Sequence, residues 1–130
     1  MKVLALDYGS ARTGVAVSDP TGTLARPLGI VERAATEDGL AELERLAREQ
    51  EVERIVVGLP LTLRGERGEQ AAETERFVEA LRGAVGVPVE LYDERFTTDL
   101  AQQTAGSAPE DALAAAHLLT TYLEWCAARS

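Results

Sequence analysis

The order of apolar and polar positions along the chain predicts its elements one by one. Val3, Leu4, Ala5 and Leu6 form a short continuous apolar run, the pattern of a strand covered on both faces, and the run ends in a charge, Asp7. Residues 2–7, 13–19 and 23–32 read as three strands joined by the turns GSAR and DPTG, an antiparallel meander. Thr36 is placed to cap a helix whose first turn carries Glu37 and Asp38, and Leu40, Leu43, Leu46 and Ala47 then recur at helical spacing. VERIVVG at 52–58 is a fourth strand. A loop through Pro60, Gly65 and Gly68 follows it, and then a helix over 69–82 that carries Phe77, Val78 and Leu81. A fifth strand covers 87–92, a short helix follows Thr97 or Thr98 and breaks near 106–109, and a long helix runs over 109–127.

Three hairpin-joined strands followed by strands that alternate with helices imply a mixed five-stranded sheet with helices on both faces, the later strands added parallel through right-handed crossovers. The class is α/β, and the order of elements matches a ribonuclease H-like fold. At 130 residues and 45% hydrophobic content the chain fits one domain, 1–130, with no internal repeat and no low-complexity segment.

Charge narrows the partners. Thirteen basic against 22 acidic residues give −9, which argues against broad electrostatic binding to nucleic acid or anionic membrane. A local patch is compatible with that balance, and Arg12, Arg64, Arg67 and Arg95 stand near glycines or strand ends, where phosphate contacts form. Cys126 is the single cysteine, so no internal disulfide forms, and its place on the apolar last helix suits packing. Too few apolar residues precede Asp7 for a signal peptide or a span, and the expected location is the cytoplasm.

Carboxylates carry the candidate chemistry. Asp7 ends the first strand, Asp93 and Glu94 follow the fifth, and Asp111 lies in the first turn of the last helix. Parallel strands of an open α/β sheet present their carboxyl ends to one crevice, so Asp7 and the Asp93/Glu94 pair converge if those strands run the same way. Ala114, Ala115 and Leu118 share a helix face with Asp111, and two alanines allow that helix close to the sheet. Clustered carboxylates repel one another until a cation relieves them, and hard oxygen donors favour Mg²⁺ or Mn²⁺. Two such ions roughly 3.5–4 Å apart suit in-line phosphodiester hydrolysis. His117 lies about 120° around the helix from Asp111 and is not expected to be a ligand.

Four segments, LDYGSARTGVAVSD at 6–19, VVGLPLTLRGERG at 56–68, YDERFTT at 92–98 and DALAAAHLLTTYLE at 111–124, resemble the YqgF (RuvX) family in content and order. Its members are described as Holliday junction resolvases and as pre-16S ribosomal RNA nucleases. The resemblance implies a ribonuclease H-like fold and a catalytic, metal-binding set of Asp7, Glu94 and Asp111, with Asp93 the lesser candidate of its pair. It also implies a nucleic-acid substrate, either a precursor rRNA end or branched DNA. Symmetric cutting of a junction suits a homodimer, whereas trimming an RNA end needs only a monomer. Between DERFTT and Asp111 such proteins usually carry a longer, lysine-rich stretch, whereas QQTAGSAPE is short and has no basic residue. That puts the weight of substrate binding on Arg12, Arg64, Arg67 and Arg95.

Two other classes compete. A glycine-rich turn after an Asp also opens actin-like ATPases, but no second such segment occurs in this short chain. A non-catalytic module binding RNA or protein suits the net acidity, yet has no need for mutually repelling carboxylates.

Overall fold

A computed structural model describes residues 1–59, 68–93 and 110–129. Its sheet is built from β1 (Val3–Asp7), β2 (Arg12–Ser18), β3 (Ala25–Glu32), β4 (Arg54–Leu59) and β5 (Val89–Asp93). They lie in the order β3-β2-β1-β4-β5. The meander β1–β2–β3 is antiparallel, and β4 and β5 add parallel to β1 as the pattern predicts. The helices are α1 (Glu37–Glu49), α2 (Glu69–Ala84) and α3 (Glu110–Ala128). The short helix expected after Thr97 or Thr98 falls outside the described residues.

Strand alternation divides the core in two. Leu4, Leu6, Val15, Val17, Ile55 and Val57 point to one face, where they pack with Leu43 and Ala47 of α1 and Phe77, Val78 and Leu81 of α2. Val3, Ala5, Ala16 and Val56 point to the other, where α3 packs through Ala115, Leu118, Leu119, Tyr122 and Leu123. The residues under α3 are the smaller set, so this helix lies close to the strands while bulkier side chains separate α1 and α2 from theirs.

Local signals set the boundaries. The Thr36 hydroxyl accepts from the Gly39 N–H at 3.2 Å and caps α1. In the turn after β2, Asp19 accepts from the N–H groups of Thr23 at 2.8 Å and Leu24 at 2.9 Å. At the far end of α3, Arg54 of β4 donates to the Tyr122 hydroxyl at 2.7 Å, and that hydroxyl lies 3.4 Å from Glu90. Burial pushes the Tyr122 phenol up to about 12, against the lowering pull of the Arg54 guanidinium. Cys126 packs beside this cluster as its position suggested. Among the described residues no helix is long and apolar enough to cross a membrane.

Candidate functional site

The turn between β1 and β2 is the anchor of the site. A Cβ on Gly9 would stand 2.5 Å from the Arg12 carbonyl oxygen, so a tight turn requires glycine there. The buried Thr13 hydroxyl donates to the Gly9 carbonyl at 3.3 Å and lies 3.4 Å from its N–H, which ties the turn across its base. The Ala11 carbonyl accepts from the Arg33 N–H at 2.9 Å and fixes the outer side of the turn to the end of β3.

Asp7 follows Val3 and Ala5 onto the face covered by α3, and its partner across the β1–β2 ladder is Gly14. Gly14 is the place where α3 touches the sheet. A Cβ on it would lie 1.8 Å from the Asp111 carbonyl oxygen, a separation no pair of non-bonded heavy atoms tolerates. The glycine therefore admits the first turn of α3 directly beside Asp7, and Asp111 arrives on the same face as the strand-end carboxylate. The glycine adds to the expected cause of the close approach, the small residues of the helix itself. Ala115 is buried under α3, but Ala114 is only half-buried, and the nearest contact is made by a missing side chain on the strand.

Arg12 completes the described part of the constellation. Its Nε lies 3.3 Å from Asp111 Oδ2, with the Arg12 side chain 63% and that of Asp111 34% exposed. A pair so open to water adds little to stability, and its donors remain accessible to a ligand. Glu110 and Asp111 also place negative charge at the positive end of α3, so the dipole holds an acidic first turn in place.

Asp93 continues the alternation of Val89 and Leu91 and so points to the face of α1 and α2, away from that of Asp7. Glu94, Arg64, Arg67 and Arg95 lie outside the described residues. Among the described residues no group of three acidic, histidine or cysteine side chains converges as a metal site, and of the expected carboxylates only Asp7 and Asp111 share a face. Hard oxygen donors at a sheet edge fit Mg²⁺ or Mn²⁺ by chemistry. Behind Asp7, on the α2 side, a cavity of about 260 Å³ opens between the turn and the helix. Sequence reasoning missed it, although Thr74 stands at helical spacing from Phe77 and places a polar residue on the buried stripe of α2 near its start.

Comparison with known proteins agrees with this architecture. Residues 1–125 match the profile of the RuvX family, described as Holliday junction resolvase. A protein of Chloroflexus aurantiacus named "Putative pre-16S rRNA nuclease" is 43% identical over 131 residues, covering 94% of this chain and 86% of its own. One of Syntrophomonas wolfei with the same name is 37% identical over 133 residues, covering 95% and 94%. Among solved structures, T. thermophilus RuvC in complex with a Holliday junction substrate superposes with a TM-score of 0.67 at 20% identity, covering 100% of this chain and 97% of that one. The Fowlpox virus resolvase bound to junction DNA superposes with a TM-score of 0.56 at 12% identity, covering 97% and 99%. These last two likenesses define the fold, a mixed sheet of the RuvC-type, ribonuclease H-like class.

Proposed function

The chain belongs to the RuvX family, and on that premise we propose that it is a divalent-metal-dependent nuclease that processes the 5′ end of pre-16S rRNA in ribosome biogenesis. The observation that carries this reading is the seat of α3 on Gly14, which sets Asp111 on the face of Asp7 at the edge where the parallel strands end. Asp7, Glu94 and Asp111 are its proposed catalytic and metal-holding residues. The opposite facing of Asp93 supports Glu94 as the third.

When bound, Mg²⁺ or Mn²⁺, in one or two positions, supplies an activated water and stabilises the leaving oxygen. The protein's part is to hold the carboxylates at one edge and to position the substrate. Arg12 is already beside Asp111, and its fork suits a phosphate oxygen as well as a carboxylate. Arg64, Arg67 and Arg95 are proposed to extend that contact along the backbone of the nucleic acid. Precursor rRNA as substrate sets the place of action in the cytoplasm.

A second reading, resolution of a four-way DNA junction in recombination or repair by a homodimer, is favoured by the family description and by the fold shared with junction-bound resolvases. Purified protein and its Asp7→Ala variant, incubated with labelled precursor rRNA and with DNA four-way junctions in Mg²⁺, Mn²⁺ or EDTA, test both. Metal-dependent cleavage of the RNA, lost in the variant, is the expected result. Cleavage of the junction instead selects the resolvase. Absence of any cleavage by folded protein selects a non-catalytic RNA- or protein-binding module.

A further inference from the structure

We infer that the cavity behind Asp7 is a pocket for one unpaired nucleobase next to the cleaved bond, and that it prefers guanine; this rests on the nuclease reading above. The cavity holds about 260 Å³ and is lined by Asp7, Tyr8, Ser10, Gln70, Glu73 and Thr74, with the backbone of Gly9. That volume falls just below the ~300–1,000 Å³ of pockets for drug-sized ligands, which limits an occupant to a single ring system.

Its position relative to the carboxylates gives it a role. Asp7 faces α3, whereas Tyr8 follows Leu4 and Leu6 onto the α2 side and packs against that core. The end of β1 thus separates a phosphate-handling face from a cavity. A strand of nucleic acid crossing this edge with its phosphate at Asp7 and Asp111 has a base within reach of the α2 side. Tyr8, the aromatic wall of the cavity, stacks on Phe77 with centroids 4.4 Å apart and planes 17° from parallel.

The lining chemistry selects the occupant. The buried stripe of α2 runs through Ala71, Thr74, Phe77, Val78 and Leu81, and beside its start the half-buried Glu73 and the exposed Gln70 turn towards the end of β1 and line the cavity with Thr74. Thr74 is satisfied within the helix, its hydroxyl donating to the Gln70 carbonyl at 2.7 Å. The half-buried Glu73 and the Tyr8 ring line the cavity together. With the Glu73 carboxylate in its lining, the cavity disfavours phosphate and suits a neutral group rich in N–H donors. Single-stranded RNA is read through the Watson–Crick edges of splayed bases. Guanine presents two adjacent donors, N1–H and the 2-amino group, to a carboxylate. Adenine and cytosine each present one amino group, and uracil presents a single N3–H flanked by two carbonyl oxygens that a carboxylate repels.

Fluorescence anisotropy in EDTA, where no cleavage occurs, reads this directly with labelled oligouridylate octamers that are uniform or carry one central guanosine, adenosine or cytidine. The expected order is guanosine first and the uniform octamer last, with a gap of about tenfold, the discrimination of one bidentate base contact. Glu73→Gln should reduce that gap to about twofold, and Gln70→Ala, which leaves the carboxylate in place, should preserve the order. Equal affinities for all four octamers, no measurable binding of any, or a gap unchanged in Glu73→Gln overturns the pocket. The two readings fail separately: base preference without cleavage in Mg²⁺ removes the nuclease and keeps the pocket, and metal-dependent cleavage without base preference does the reverse.

Discussion

The carbonyl oxygen of Asp111 occupies the space that a Cβ on Gly14 would need, with 1.8 Å between the two positions. The contact joins the second strand to the start of the last helix, and since Gly14 pairs with Asp7, it also sets how near the two carboxylates come. Gly14→Ala is therefore expected to lift the first turn of α3 from the sheet. Overpacking of this kind costs about 1–3 kcal/mol. Thermal unfolding should report the loss, and calorimetric titration with Mn²⁺ should report weaker binding than wild type. Gly83→Ala is the control, because nothing lies within 4 Å of a Cβ there and an exposed helical glycine gains about 0.5–1 kcal/mol on becoming alanine. A Gly14→Ala protein with unchanged melting and Mn²⁺ affinity would refute the role given to this contact.

Arg12 and Asp111 form an exposed pair, so removing the arginine should leave stability within about 0.5 kcal/mol of wild type. Its effect is expected in binding. If Arg12 contacts a phosphate of the substrate, Arg12→Ala should weaken RNA binding and flatten the dependence of log K on log salt by about 0.7, the share of one phosphate on a single strand. Arg12→Lys should keep the salt slope and lose part of the affinity, since an ammonium keeps the charge without the fork. An unaltered slope in Arg12→Ala would confine this residue to holding Asp111.

Much of this arrangement was legible in the residue order, for a physical reason. Apolar alternation and continuous runs report burial on one or two faces, and that is why β1, β4, α1 and α2 fall where the pattern placed them. Asp7 stood out because a charge at the end of a doubly buried strand needs a partner or an ion. The seat of α3 was less legible. The helix's own alanines looked sufficient for a close approach, because contact between residues 14 and 111 depends on the register of β1 against β2 and on where α3 begins. Neither is visible within a local window. The cavity was hidden for a similar reason, since Tyr8 and Glu73 acquire meaning only once α2 lies over the end of β1.

Asp19 offers a test of the turn that aligns β2 with β3. The N–H of Leu24, the Thr21 hydroxyl and the N–H of Thr23 hold its carboxyl well below the usual carboxylate range. A carboxyl depressed in the folded state contributes stability above its unfolded value near pH 4 and loses it as the pH falls through the folded value. Asp19→Asn should therefore be less stable than wild type at neutral pH, and the difference should shrink in acid. Urea unfolding at pH 7 and below pH 3 measures it. A constant difference across that range would mean that the turn does not depend on the ionised carboxylate.

Alkaline titration tests the anchor at the other end of α3. The chain has three tyrosines, and burial raises the phenols of Tyr8, Tyr92 and Tyr122, the last to about 12. Since each folded value lies above the unfolded one near 10, the protonated phenols stabilise the fold fully below pH 10. That stabilisation is lost as the pH rises towards 12. Absorbance of the ionised phenol should begin to rise later in the native protein than in urea, and the melting temperature should fall between pH 10 and 12. Tyr122→Phe removes the hydroxyl that receives Arg54 and meets Glu90, and is expected to cost about 1.5–3 kcal/mol at neutral pH through the bond lost to a charged group. The same variant should flatten the alkaline decline, because the most displaced of the three phenols is gone. A decline as steep in Tyr122→Phe as in wild type would place the alkaline sensitivity elsewhere and leave the Arg54–Tyr122 contact without a part in it.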